Sequence, residues 1–345
     1  MNSFKSKFPI LLVSLLIIVT ACSEPESEEL VIYSGRSQAL VDDLVDMYNE
    51  KTGEQVEVRY GNDAELLALL AEEGEQSPAD IFWANTTGAL ANASSENRLQ
   101  ALPDSILALP SSYTASSGQW IPVTVRFRVL AYNPQNVSEE ELPSSISELT
   151  EMTEFEGRVG WTPTYSSFYD FITAMRIIEG EEFTLDWIEG MKALNPVAYS
   201  SNTPMVQALV GGEIDMGLTN HYYVLRMKYG DAKSGDQTPQ PDAPIETHHF
   251  ESGDLGNLAL VTGAALLNTS DQNEQALRFL KFLVSEEAQS FAVQSVNEYP
   301  VIDGVEVQDF MLDADQAFEL SPEYDYEQLQ NLEGTLDLLR KAGLN

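Results

Sequence analysis

From Glu29 onward, short apolar runs alternate with longer stretches in which apolar residues recur every three or four positions. Leu30-Val31-Ile32-Tyr33 reads as a strand, and Ser34-Gly35-Arg36-Ser37 as the turn that leaves it. Leu40, Val41, Leu44, Val45 and Tyr48 then follow at helical spacing, with Gly53 as a stop signal. Residues 56–60 alternate as a second strand, 66–73 are helical up to Gly74, and Ala79-Asp80-Ile81-Phe82-Trp83 is a third, almost continuous apolar strand. This order of strands and helices predicts parallel pairing with helices on both faces of the sheet.

The pattern resumes at residues 123–132, a long apolar strand with Arg126 and Arg128 inside it, which reads as a crossover between two halves of the chain. A strand at 158–161 and a helix at 167–178 follow, and Asn202-Thr203-Pro204 opens a further helix with proline in its first turn. Residues 214–218 form a strand that passes into a helix through Asn220-His221-Tyr222-Tyr223; 258–267 and 274–285 read as a last strand and helix. The fold class is therefore α/β, with enough chain for two domains.

The amino-terminal end has a different pattern. Lys5 and Lys7 precede an apolar run over 8–19 that Pro9 and Ser14 interrupt. A membrane-spanning helix needs about 20 apolar residues, so this run reads as a secretion signal. Val19-Thr20-Ala21-Cys22 ends it, and Cys22 is the sole cysteine, which excludes an intrachain disulfide. These residues resemble the lipobox of bacterial lipoproteins. The resemblance implies a signal at 1–21, lipid attached to Cys22, and export to the periplasmic or cell-surface side of a bacterial membrane. An ordinary signal peptide with an incidental cysteine is the alternative. Residues 22–29 carry a short acidic tether with no apolar content beyond Cys22, read as a spacer. The chain has 55 acidic and 18 basic residues, a formal net charge of −37. Such a surface repels nucleic acid, whose phosphates need lysine and arginine, and disfavours anionic lipid headgroups. The acid is spread along the whole chain, consistent with a solvated, salt-adapted surface.

Tyr222 and Tyr223 are the most informative chemistry. On a first helical turn they meet unpaired N–H groups and partial positive charge. A phenol ordinarily ionises near pH ~10; a bound cation favours the phenolate, a hard oxygen donor suited to Fe(III). The plainer alternative has one tyrosine in the core and the other on the surface. His221 turns away from at least one of them and reads as a surface or packing residue. With three histidines, one cysteine and no His-x-x-x-His spacing, a zinc site has no support; His248 and His249 are merely adjacent in a loop. Acidic pairs such as Asp42-Asp43, Glu72-Glu73 and Glu181-Glu182 arise by chance at this acid content. No Gly-x-Ser-x-Gly elbow, Walker loop or dinucleotide fingerprint accompanies them, which argues against an enzyme.

Tyr33-Ser34-Gly35-Arg36, Ser77-Pro78-Ala79-Asp80-Ile81-Phe82, Trp161-Thr162-Pro163-Thr164, Asn220-His221-Tyr222-Tyr223 and Glu298-Tyr299-Pro300 occur in this order. Together they resemble the iron(III)-binding substrate-binding proteins of bacterial ABC importers, the bacterial transferrins, over residues 30–303. The resemblance implies a two-lobe periplasmic-binding-protein fold (type II) with the ligand cleft between lobes and closure by hinge motion. Lobe one would be 29–128 with 253–303, and lobe two 129–252 with 304–345. It implies Fe(III) on Tyr222 and Tyr223 and a synergistic anion (carbonate, phosphate or citrate) at Tyr165-Ser166-Ser167, with Asn202 and Asn220 lining the pocket. Simple N-capping is the alternative for Ser166, Asn202 and Asn220. It also implies a monomer whose partners are a two-subunit permease and an ATPase.

Two departures stand out. Ser37 occupies a place where some relatives have histidine, and Asn85 one where some have glutamate. A third tyrosine, Tyr165 or Tyr169, is the candidate replacement ligand. Arg36, Arg126 and Arg128 are candidates for facing the anion, with buried salt bridges the alternative for the last two. A site that holds a small organic or phosphonate-type anion, or a ferric chelate without direct metal ligation, is the rival reading. Capture of a partner through the acidic face comes third.

Overall fold

The computed structural model describes residues 29–109, 116–232 and 238–344. Cys22 and the proposed signal and most of the tether lie outside them. Nine strands are β1 (Leu30–Ser34), β2 (Val56–Tyr60), β3 (Ile81–Ala84), β4 (Trp120–Tyr132), β5 (Val159–Trp161), β6 (Val197–Ala198), β7 (Met216–Asn220), β8 (Glu246–His248) and β9 (Ala259–Leu266). The helices are α1 (Gln38–Thr52), α2 (Asp63–Glu73), α3 (Thr87–Ser95), α4 (Asp104–Leu107), α5 (Ile146–Leu149), α6 (Ser166–Ile178), α7 (Glu181–Ala193), α8 (Asn202–Val210), α9 (His221–Tyr229), α10 (Asn273–Leu283), α11 (Glu286–Val296), α12 (Ala314–Leu320) and α13 (Leu332–Lys341).

The strands run in the order β2-β1-β3-β9-β4-β7-β5-β6, with β8 beside β4. As the alternating pattern predicts, β1 pairs in parallel with β2 and β3. Strand β9, late in sequence, is inserted antiparallel between β3 and β4. All of β4 is buried, and it serves both halves of the molecule. Its residues 120–127 pair with β9 and 128–132 with β7, so the predicted crossover is the strand that joins them. Arg126 therefore falls in the first half's pairing and Arg128 in the second's.

Alternation along β1 explains the layering. Leu30 and Ile32 face one apolar cluster with Leu40, Leu44, Trp83 and Phe279, while Tyr33 faces another with Phe82, Leu90 and Phe127. Local signals set several helix starts. Asn62 accepts the Glu65 N–H while Glu65 reaches back to the Asn62 N–H, a reciprocal cap for α2. The predicted 274–285 helix is α10, which ends at Leu283, and Ser285 caps a further helix, α11, that the sequence pattern did not predict. The predicted strand 214–218 lies two residues later, at Met216–Asn220, and Asp215 just before it pairs with Arg158.

The carboxy-terminal segment touches both halves. Helix α13 packs on α6 through Thr335, 2.7 Å from the Thr173 hydroxyl. The 3₁₀ segment Tyr326–Gln330 lies against α3, and Glu327 accepts the Trp120 indole N–H at 2.9 Å.

Candidate metal centre

Strand β7 delivers Asn220 as the N-cap of α9, and Tyr222 and Tyr223 follow on its first turn, only 4% and 7% exposed. Their ring centroids are 4.3 Å apart with the planes inclined by 31°, and the two side chains are hydrogen-bonded. Helix α6 starts beside them. There the Tyr165 hydroxyl lies 2.9 Å from that of Tyr223. Tyr169 sits a turn further along α6, half-buried against the apolar core. Burial pushes the Tyr223 phenol far up, and Tyr222 and Tyr165 add to this; burial also raises Tyr165. Such phenols keep their protons at neutral pH unless a strong cation binds among them.

Three helix N-termini converge here, those of α6, α8 and α9, and none has a side-chain cap. The capping alternative for Ser166, Asn202 and Asn220 is thus not what the chain adopts. Ser166 is exposed at the start of α6, with Ser167 buried next to it. Asn202 is wholly buried; its side chain accepts from Thr162 at 3.3 Å and donates to Ser167 at 3.5 Å. Asn220 accepts from the Arg128 guanidinium at 3.2 Å, while its own amide nitrogen is buried without a partner among the described residues. Uncapped N–H groups with buried hydroxyls and amides suit an anion.

The arginines divide into two kinds. Arg36 forms a fully buried ion pair with Glu298 at 2.6 Å. Its other Nη donates to the Asn85 side-chain oxygen at 2.9 Å, and Arg126 donates to the same oxygen at 3.2 Å. Asn85 is thereby held by two cations. Arg126 and Arg128 are 3% and 0% exposed, yet neither has an ion-pair partner among the described residues, so the salt-bridge alternative does not hold for them. Arg128 lies over the Phe171 ring at 5.3 Å, and its Nε and one Nη are buried without hydrogen bonds. Burial lowers Arg128 to about 10, opposed by Tyr222 and Tyr223. Burial also opposes the charge of Arg126, but Tyr222, Glu298, Asp170 and Tyr223 outweigh it and raise the group. Asp170 is pushed up to about 7, by burial and by Asp63, against the pull of Arg126.

His221 adopts the packing alternative and not the surface one. It takes the Phe127 N–H on Nδ1 at 3.1 Å and gives its Nε2 hydrogen to the Asn297 carbonyl at 2.8 Å, and burial lowers it to about 4. Sequence reasoning missed Arg226, whose guanidinium lies 5.2 Å from each tyrosine ring centroid; its spacing from the tyrosines was the available signal. It also passed over Glu298 as a partner of Arg36, for which residues 262 positions apart offer none. No group of three or more His, Cys, Asp or Glu among the described residues could hold a metal, which leaves phenols as the clustered hard donors. Surface cavities of about 520, 540 and 760 Å³ are lined by other residues, while Arg226 lines one of about 590 Å³.

The family model for bacterial extracellular solute-binding proteins matches residues 34–290. The Fe(3+)-binding periplasmic protein of Serratia marcescens is 30% identical over 277 residues, 80% of this chain and 79% of that one. The major ferric iron-binding protein of Neisseria meningitidis serogroup B is 28% identical across 96% of this chain and 98% of its own. The crystal structure of iron-bound HitA from Pseudomonas aeruginosa superposes with a TM-score of 0.81 at 30% identity, covering 92% of this chain and 99% of HitA. Shared β4 and the mixed sheet are thus those of a two-lobed α/β binding protein. The chain belongs to the bacterial extracellular solute-binding protein family, and it is a binding protein, not an enzyme.

Proposed function

We propose that the protein binds ferric iron through Tyr222, Tyr223 and Tyr165 and delivers it to an ABC importer. The observation that carries this reading is the meeting of three phenols at one point, with the Tyr165 and Tyr223 hydroxyls 2.9 Å apart. The names of the relatives, ferric-binding proteins of iron uptake, support it. Three phenolates balance the charge of Fe(III). Arg128 then remains as a buried cation that no carboxylate offsets, and a synergistic anion balances it. Carbonate, phosphate or citrate fits at the uncapped helix starts, with Ser166, Ser167, Asn202 and Asn220 as contacts. Arg36 and Asn85 brace this anion site from the other side.

The moving bodies are 29–128 with 253–303 and 129–252 with 304–345, and opening between them admits cargo to tyrosines that are otherwise buried. The proposed setting is the periplasmic or cell-surface side of a bacterial membrane, with a lipid on Cys22, a monomeric chain, and a permease and ATPase as partners. None of the described helices is long and apolar enough to cross a membrane.

Titrating the metal-stripped protein with ferric citrate, read by visible absorbance, tests the reading. A saturable phenolate-to-iron band at about one iron per chain is expected, and Tyr222→Phe abolishes it while leaving the far-ultraviolet circular dichroism unchanged. The unpartnered nitrogens of Arg128 favour a second reading, an organic anion or an intact ferric chelate held without direct ligation. Binding seen by calorimetry with no visible band selects that one.

A further inference from the structure

Arg226 lies three residues after Tyr223 and four after Tyr222 on α9, the spacing that puts side chains on one helical face. Its guanidinium carbon is 5.2 Å from both ring centroids, so one cation covers two closely packed phenols. On its other side Nε donates to an Asp231 carboxylate oxygen at 2.7 Å, with the Asp231 side chain fully buried and that of Arg226 14% exposed. One Nη is buried and makes no hydrogen bond. An arginine that only answered the dipole at a helix C-terminus would project into water. This one is turned inward and pinned. Burial opposes its charge, yet Asp231, Tyr222 and Tyr223 raise it, and it acts in turn to lower the Tyr165 phenol that burial holds up.

We infer that Arg226, fixed by Asp231, is a positioning residue that holds the paired rings in their close, tilted orientation and sets a permanent positive charge beside the phenolates. The inference rests on the reading of Tyr222 and Tyr223 as ferric ligands. Two effects follow from it. The rings are pre-arranged, so less order is lost when iron binds. The cation also lowers the energy of the phenolate electrons, so their transfer to Fe(III) absorbs at shorter wavelength than it would without Arg226.

The test loads the full chain, purified in detergent, with ferric citrate and compares wild type with Arg226→Met, Arg226→Lys and Asp231→Asn. In Arg226→Met the visible band moves to longer wavelength and ferric affinity in citrate competition falls about tenfold, the scale of a pair of partly buried cation–π contacts. Arg226→Lys keeps the charge and restores the band position. If Arg226→Met loses its native circular dichroism, Asp231→Asn is read instead, with a smaller shift in the same direction. A band that stays in place in a folded Arg226→Met protein, whether affinity falls or not, overturns the inference. A wild-type protein with no visible band overturns the ferric reading and this inference with it.

Discussion

Burying a charge requires an exchange of partners, and the residues around the tyrosines make that exchange in different ways. Arg36 and Glu298 neutralise each other with both side chains at 0% exposure. Removing one member leaves the other unpaired in a low-dielectric interior. Arg36→Ala is therefore expected to lose about 3–5 kcal/mol in urea denaturation, with the double change Arg36→Met and Glu298→Gln recovering most of it. Arg128 follows another logic, with a phenylalanine face, one asparagine oxygen and two buried nitrogens that bond to nothing. This unfilled hydrogen-bonding capacity is what the proposed anion would take up. Tyr222→Phe, by contrast, removes a single oxygen, so its visible-band loss reports ligation and not collapse. The paired tyrosines were legible in the sequence because they are adjacent at a strand-to-helix junction. Tyr165 was not separable from Tyr169, since both lie near one helix start and only the direction of approach of α6 distinguishes them.

At the scale of elements, the contact between β4 and β9 is the seam on which the site depends, because it carries Arg126 next to the tyrosine helix. The register shifts between Pro122 and Thr124, and Gly263 faces that irregularity. A Cβ on Gly263 would stand 2.5 Å from the Ile121 carbonyl oxygen, 2.8 Å from Leu90 and 2.9 Å from Trp120. Backbone cannot yield as a side-chain tip does, so glycine is required by close approach. Gly263→Ala is expected to destabilise the protein by about 1–3 kcal/mol through overpacking, measured as a lowered thermal midpoint, and to weaken iron binding less than it weakens the fold. The extents of β1, β2, α1 and α6 were close to their hydropathic patterns, since each is amphipathic or apolar with a local stop or start. The insertion of β9 between β3 and β4 was not, because an apolar strand reads the same at any place in a sheet.

For the whole molecule, stability and pH are linked through groups that fold into the interior uncharged. His249 is lowered to about 4 by burial and then by His248, against about 6.5 for a free histidine. Between those two values the unfolded chain binds the proton and the folded chain does not. Its contribution is thus complete above about pH 6.5 and is lost as pH falls toward 4, by at most about 3 kcal/mol. Asp170, pushed up to about 7, acts in the opposite sense over the same range, so a difference measurement is needed. Wild type minus His249→Gln, followed by urea denaturation at steps from pH 7.5 to 4, should isolate a loss on acidification that the variant lacks. Across the chain, local chemistry was enough to foretell α/β alternation, a crossover strand and the place of the tyrosine pair at a helix start, because hydropathic period and helix-start residues act over a few positions. The partners that complete the site came from elsewhere: Tyr165 from 58 residues away, Glu298 from 262, and a tail that touches both halves. A sequence pattern records that a side chain will be buried, and only the packing of the strands and helices assigns what it is buried against.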